Sequence, residues 1–190
     1  MKKILLVGGG GHAKSVIDVI EQEGRFEIAG IVEKFIGESH SVLDYEIIGT
    51  DDELPALRKH YDYALVTVGQ IESAKLRIKL YTHLKELGFM LPTIISPHAY
   101  VSKHARLGEG SVVMHHALVN AGAKVGNNCI INSKALVEHD AVVENHCHIS
   151  TCAILNGGVH VATESFIGSG VVTKQGAQLS GFIKAGSIAK

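Results

Sequence analysis

The chain has 190 residues, with 18 Lys and Arg against 19 Asp and Glu and a formal net charge of -1. Near-neutral charge with scattered basic residues excludes the footprint of a nucleic-acid or anionic-membrane binder. Three cysteines, an odd number, argue against a disulfide framework and for a reducing cytoplasm.

The opening MKKILLVGG holds an apolar run too short for a signal sequence or a membrane span. Residues 3–7 read as a strand, 8–11 as a glycine turn, and 13–23 as a helix with Val16, Ile17, Val19 and Ile20 on its apolar side. A second strand is expected at 26–32 and a short one at 47–48. Asp51 is expected to cap a second helix. Residues 63–68 form a strand ending at Gly69, and 72–87 a helix stopped by Gly88. Alternating β and α elements imply a small parallel, Rossmann-like sheet in an α/β domain over residues 1–92, with the boundary at Pro92 and Pro97.

Gly8, Gly10 and Ala13 match G-x-G-x-x-A after a strand, and Glu33 follows about twenty residues on. The physical content is a helix N-terminus with bare amides, a place for phosphate. NAD and a nucleotide-sugar diphosphate both fit, as does a plain tight turn. About ninety residues are few for a redox cofactor and a substrate together. His12 could donate to a ligand or cap the helix.

From Ile95 onward the pattern changes to a six-residue beat. Ile95, Val101, Leu107, Val113 and their successors at every sixth place to Leu179 are Ile, Leu or Val, except Thr173. Four places after each comes a mostly small residue, including Ala117, Ala123, Cys129 and Cys147. Positions four apart share a side of an extended strand. The period predicts an all-β parallel β-helix over residues 93–190, with 18 residues and three strands per coil and five coils in all. Small residues after each aliphatic, such as Gly108, Gly126 and Gly168, are expected at corners of positive φ. An outward column, Leu118, Leu136, Ile154 and Val172, is wholly apolar, which predicts a symmetric oligomer packed side against side.

Glu138-His139-Asp140 falls at a corner, where Asp140 could orient the imidazole as a general base. Gly157 is 18 residues further on, hence one coil above His139, and its bare N–H could stabilise a thioester oxyanion. His148 lies on another face. In His146-Cys147-His148 the Cys points inward and the two His outward, so a metal site is disfavoured.

GGGGHAKSVIDVI, the VTVG strand end with Arg77 beyond it, VEHDAVVENHCHIS and the terminal AGSIAK together resemble the bacterial hexapeptide sugar acetyltransferases of the sialic-acid/bacillosamine type. The resemblance spans the whole chain. It implies a left-handed β-helix, a cytoplasmic homotrimer, acetyl-CoA as co-substrate between coils, no metal, and a nucleotide-sugar partner held by the first domain. It implies N-acetylation of a UDP-4-amino-4,6-dideoxy sugar for bacterial glycans, with O-acetylation of a sialic acid as the alternative and a non-catalytic nucleotide-binding scaffold as a further one. His139 matches the base, Asp140 its orienting acid and Glu138 the carboxylate before it. His148 and Gly157 match acetyl-CoA contacts, and the corner Gly168 is expected to join them. Gly8, Gly10, His12, Glu33 and Gly69 match the nucleotide-sugar site. The chain departs from the family at Lys34, where a second acid is usual, and at Ile188, where the ending usually has proline.

Overall fold

The computed structural model describes residues 1–34 and 40–190. The chain divides into two compact units, Met1–Gly69 with Lys75–Pro92, and Gln70–Ala74 with Thr93–Lys190.

In the first unit, β1 (Lys2–Val7), β2 (Phe26–Val32), β4 (Tyr45–Gly49) and β5 (Tyr63–Val66) run parallel, and β3 (Ser41–Val42) is an antiparallel edge on β4. The order is β3-β4-β2-β1-β5. Helix α1 (Gly11–Glu23) buries Ala13, Val16, Ile17, Val19 and Ile20, the face that the apolar spacing marked. The expected cap at Asp51 is displaced by one residue. Thr50 precedes a 3-10 turn (Asp51–Glu53) and α2 (Leu54–Leu57), and the Glu53 carboxylate accepts its backbone N–H at 2.8 Å. Helix α3 (Lys75–Glu86) begins three residues later than the pattern implied, and Gly88 ends it in the left-handed region at φ 83°.

In the second unit, two-residue strands stack into three parallel sheets of six, five and six strands. Val119 pairs with Val137 and Val137 with Leu155, the 18-residue register of the repeat. The inward columns form one continuous apolar core running from Val113 to Ala189. Each buried Val, Leu or Ile contributes roughly 1.5–3 kcal/mol. Large and small residues alternate inward, which lets coils stack at strand spacing. The last coil is shorter than the repeat predicts. Phe182 pairs with Phe166 and Ile188 with Val172, each 16 residues apart, because the corner between Leu179 and Ile183 loses two residues and turns at Gly181, φ 71°.

The corners correct a second expectation. Positive φ falls three places after the large aliphatic, at His116, Gly122, Asn128, Lys134, Asp140, His146 and Cys152 among others. It does not fall on Gly108, Gly126 or Gly168. Those glycines answer to packing. A Cβ on Gly126 would lie 2.7 Å from the Asn145 nitrogen in the next coil, and one on Gly108 would lie 2.6 Å from that of Asn127. One on Gly168 would meet the Ile183 carbonyl at 2.8 Å.

Candidate functional site

The glycine turn of the first unit is built by contacts that exclude side chains. Gly8 sits at φ 107° and donates to the Val32 carbonyl at 2.8 Å, while the Thr67 hydroxyl donates to the Gly8 carbonyl at 2.6 Å. A Cβ there would fall on the Val68 side chain. Gly10 and Gly11, at the start of α1, face open space. Glu33 reaches back into the turn, where its carboxylate accepts the Gly9 N–H at 2.5 Å and the Lys34 N–H at 3.0 Å. A Cβ on Gly69 would touch the Cβ of His12 at 3.5 Å, so these two residues adjoin. Gly8, Glu33, Lys34, Asp51, Val68 and Leu80 line a cleft with Leu76. Five expected residues, Gly8, Gly10, His12, Glu33 and Gly69, thus gather at the ends of β1, β2 and β5.

In the second unit the Glu138-His139-Asp140 corner follows the Leu136–Val137 strand. Asp140 adopts φ 59°, and this turns its carboxylate back onto the preceding ring. His139 Nδ1 lies 2.9 Å from Asp140 Oδ2. That hydrogen bond is the main cause that raises the imidazole pKa above its ordinary value, with the carboxylate charges of Asp140 and Glu138 adding to it. Glu138 accepts the His139 N–H at 2.9 Å and the Asn120 side-chain N–H at 2.7 Å, and both bonds hold its carboxyl below the usual range.

Gly157 lies one coil above. A Cβ on it would stand 2.6 Å from His139 Nε2 and 2.7 Å from Cε1, so the ring packs over the space this glycine leaves. With Nδ1 committed to Asp140, Nε2 is the nitrogen that faces this gap. Gly122, one coil below Asp140, is required in the same way, since a Cβ there would strike the Asp140 carboxylate. The site is therefore a stack of Gly122, the Glu138–Asp140 corner, and Gly157–Gly158, the last tied down by the Gly158 N–H on the His139 carbonyl at 3.0 Å.

His148 is separate from this corner. It begins a strand of the adjacent sheet and is 6% exposed, despite its outward register. Its Nδ1 lies 2.5 Å from the Gln70 carbonyl and its Nε2 3.0 Å from the Asn132 amide nitrogen. Phe166 packs edge-on at 5.2 Å.

Residues 3–84 match the family model of the PglD N-terminal domain. No curated protein sequence matches the chain. Among solved structures, a His-to-Asn variant of perosamine N-acetyltransferase from Caulobacter crescentus, in complex with CoA and GDP-perosamine, is 33% identical. It superposes with a TM-score of 0.93 over 100% of this chain and 89% of its own. The acetyltransferase domain of PglB from Neisseria gonorrhoeae, in complex with acetyl coenzyme A, is 32% identical with a TM-score of 0.88 over 100% and 93%. The chain belongs to the PglD-type family of nucleotide-sugar acetyltransferases.

The family likeness gives the coils their hand, a left-handed parallel β-helix, as the resemblance implied. Among the described residues of this PglD-type chain, no group of three or more His, Cys, Asp or Glu is placed to hold a metal ion. None of its described helices is long and apolar enough to cross a membrane. Three residues around the corner and His148 were missed by sequence reading. Asn120 stands 18 residues before Glu138, so the repeat could have found it. Asn132 reaches His148 diagonally in the next coil, 16 rather than 18 residues on, and Gln70 comes from outside the repeat, so no periodicity announces either.

Proposed function

We propose that this protein is an acetyl-CoA-dependent N-acetyltransferase acting on the amino group of a nucleotide-linked sugar. The relatives solved with CoA, acetyl-CoA and GDP-perosamine support the class. The observation that carries the reading is the stacking of His139 Nε2 against Gly157, with Nδ1 held by Asp140.

The chemistry is direct transfer in a ternary complex. The sugar amine attacks the thioester carbonyl while His139 Nε2 takes its proton, Asp140 stabilising the imidazolium. No acceptor among the described residues takes the Gly157 N–H, which leaves it for the developing oxyanion. The C–N bond forms, the C–S bond breaks, and the imidazolium returns the proton to the departing CoA sulfur. Glu138, fixed by Asn120, attracts the incoming ammonium before it is deprotonated. His148 and Gly168 belong to the acetyl-CoA side of the reaction, and Gly8, Gly10, His12, Glu33 and Gly69 to the nucleotide-sugar side.

The substrate is a UDP-4-amino-4,6-dideoxy sugar. A GDP sugar is the second reading, favoured by the GDP-perosamine complexes of the relatives. The working form is a cytoplasmic homotrimer packed through the column Leu118, Leu136, Ile154 and Val172, which is flanked by exposed Tyr100 and Ile188. CoA release measured with UDP- and GDP-linked 4-amino sugars and with a sialic acid decides among these. Release with an amino-sugar nucleotide supports N-acetylation, and the nucleotide that turns over names the substrate. Release with sialic acid alone would replace it by O-acetylation, and release with none by a non-catalytic role.

A further inference from the structure

The segment Gln70–Ala74 leaves the first unit and packs with the second. Its anchor is Gln70, only 2% exposed. The side-chain nitrogen donates to the His146 carbonyl at 3.0 Å and to the Ser165 carbonyl at 3.4 Å. These carbonyls bracket the start of two neighbouring strands, and the His148 backbone N–H donates to the same Ser165 carbonyl at 2.9 Å. So fixed, the Gln70 main chain sets its own carbonyl against His148 Nδ1 at 2.5 Å.

The other side of the ring is equally determined. Asn132 Oδ1 accepts the Ser133 N–H at 2.8 Å, which assigns the amide's orientation. The atom facing His148 Nε2 at 3.0 Å is then the amide nitrogen, a donor. A carbonyl can only accept and an amide N–H can only donate. The ring must carry its proton on Nδ1 and its lone pair on Nε2. It is neutral, and in the tautomer opposite to one whose Nε2 donates.

We propose that Gln70 is a positioning residue that locks His148 in this single neutral tautomer, with its Nε2 lone pair turned to Asn132. The two histidines then divide the work. His139, exposed at its corner, exchanges protons, whereas His148 is a fixed, uncharged wall that holds an orientation. The consequence for turnover rests on the reading of His148 as an acetyl-CoA contact, but the tautomer itself does not.

The test is a long-range 15N–1H spectrum of the full chain labelled in its histidine rings, with the His148 signals identified by their loss in His148→Gln. The expected wild-type ring has a protonated Nδ1 and a bare Nε2 throughout about pH 6–8, where an unrestrained imidazole titrates. In Gln70→Met the anchor bonds are lost, and a second tautomer or a titrating ring appears. In Asn132→Asp, whose carboxylate only accepts, Nε2 gains a proton. An Nε2-protonated or freely titrating ring in the wild type would overturn the proposal. So would a His148 spectrum unchanged in both variants, each being read only where its melting curve shows a folded chain. Kinetically, Gln70→Met raises KM for acetyl-CoA about three- to tenfold, the effect of one net hydrogen bond, and leaves KM for the nucleotide sugar unchanged. A wild type without turnover would sink the proposed function while leaving the ring spectra to decide the tautomer.

Discussion

A methyl group on Gly157 would stand 2.6 Å from Nε2 of His139, on the coil below. Gly157 is not among the positive-φ glycines, so alanine fits the backbone there and only the imidazole has to move. Gly157→Ala therefore leaves the melting temperature near that of the wild type. It lowers kcat/KM by about 10²-fold, the cost of misplacing a catalytic group by roughly an ångström. CoA release and a thermal melt on the same sample check this. Full activity in the variant would detach His139 from the reaction.

The hydrogen bond that His139 Nδ1–H donates to the Asp140 carboxylate raises the pKa of His139, and the base must be neutral to accept a proton. The acidic limb of kcat/KM, which reports the base in the free enzyme, therefore lies above the ordinary imidazole value. Asp140→Asn removes the charge and moves that limb to lower pH, while the plateau falls because the imidazolium loses its stabilising partner. His139→Ala lowers turnover by roughly 10²–10⁴-fold, the usual share of a general base. A limb that stays in place in Asp140→Asn would mean that another group titrates.

The hexapeptide beat made the inward columns legible because each coil repeats one steric problem, a large residue beside a small one. The same logic placed Gly157 above His139 from spacing alone. It failed where the repeat was broken. The shortened corner between Leu179 and Ile183 pulls the pairing of Phe166 and Phe182 to 16 residues, and nothing in the composition of that corner signals the loss. The corner glycines were placed correctly for the wrong reason, since Gly108 and Gly126 make room for the next coil rather than for a left-handed turn. Gln70 was invisible, because a contact 78 residues away in sequence leaves no local pattern.

Asn120 holds Glu138 from the coil below at 2.7 Å, and the bond favours the charged carboxylate. In Asn120→Ala the carboxylate keeps the His139 N–H but loses its second donor. KM for the amino sugar rises about three- to tenfold, the size of one net hydrogen bond at a carboxylate open to water, with KM for acetyl-CoA unchanged. Steady-state kinetics with each substrate varied in turn check the split. Equal changes in both constants would point to a general disturbance of the corner.

The three thiols differ in access. Cys129 and Cys147 are buried in the coil core, where each thiol donates to a carbonyl, and Cys152 is exposed at a corner. The Cys129 side chain, together with burial, pushes the Cys147 thiol above its ordinary pKa, so it stays protonated and unreactive. A thiol reagent therefore titrates one equivalent in the native protein and three in denaturant. Cys152→Ser abolishes the native reaction without changing the melting temperature. More than one native equivalent would mean that the coils open on the timescale of labelling.

The column Leu118, Leu136, Ile154 and Val172 runs along one sheet, with Val172 39% exposed and Ile188 beyond it at 75%. An apolar stripe of this length in water favours association, and a triangular prism offers a closed threefold arrangement. In a trimer packed through this column, Leu136→Glu would bury an unpaired carboxylate at the interface, a cost of several kcal/mol that the association must absorb. Light scattering should find the wild type at three times the chain mass of 20.3 kDa and the variant at one. His139 comes three residues after Leu136, at the corner that follows this strand. If the acetyl-CoA groove is shared between protomers, the monomeric variant loses activity in proportion to its loss of trimer, and raising protein concentration restores both together. A fully active monomer would place the whole reaction within one chain, and a monomeric wild type would leave the apolar stripe to some other partner.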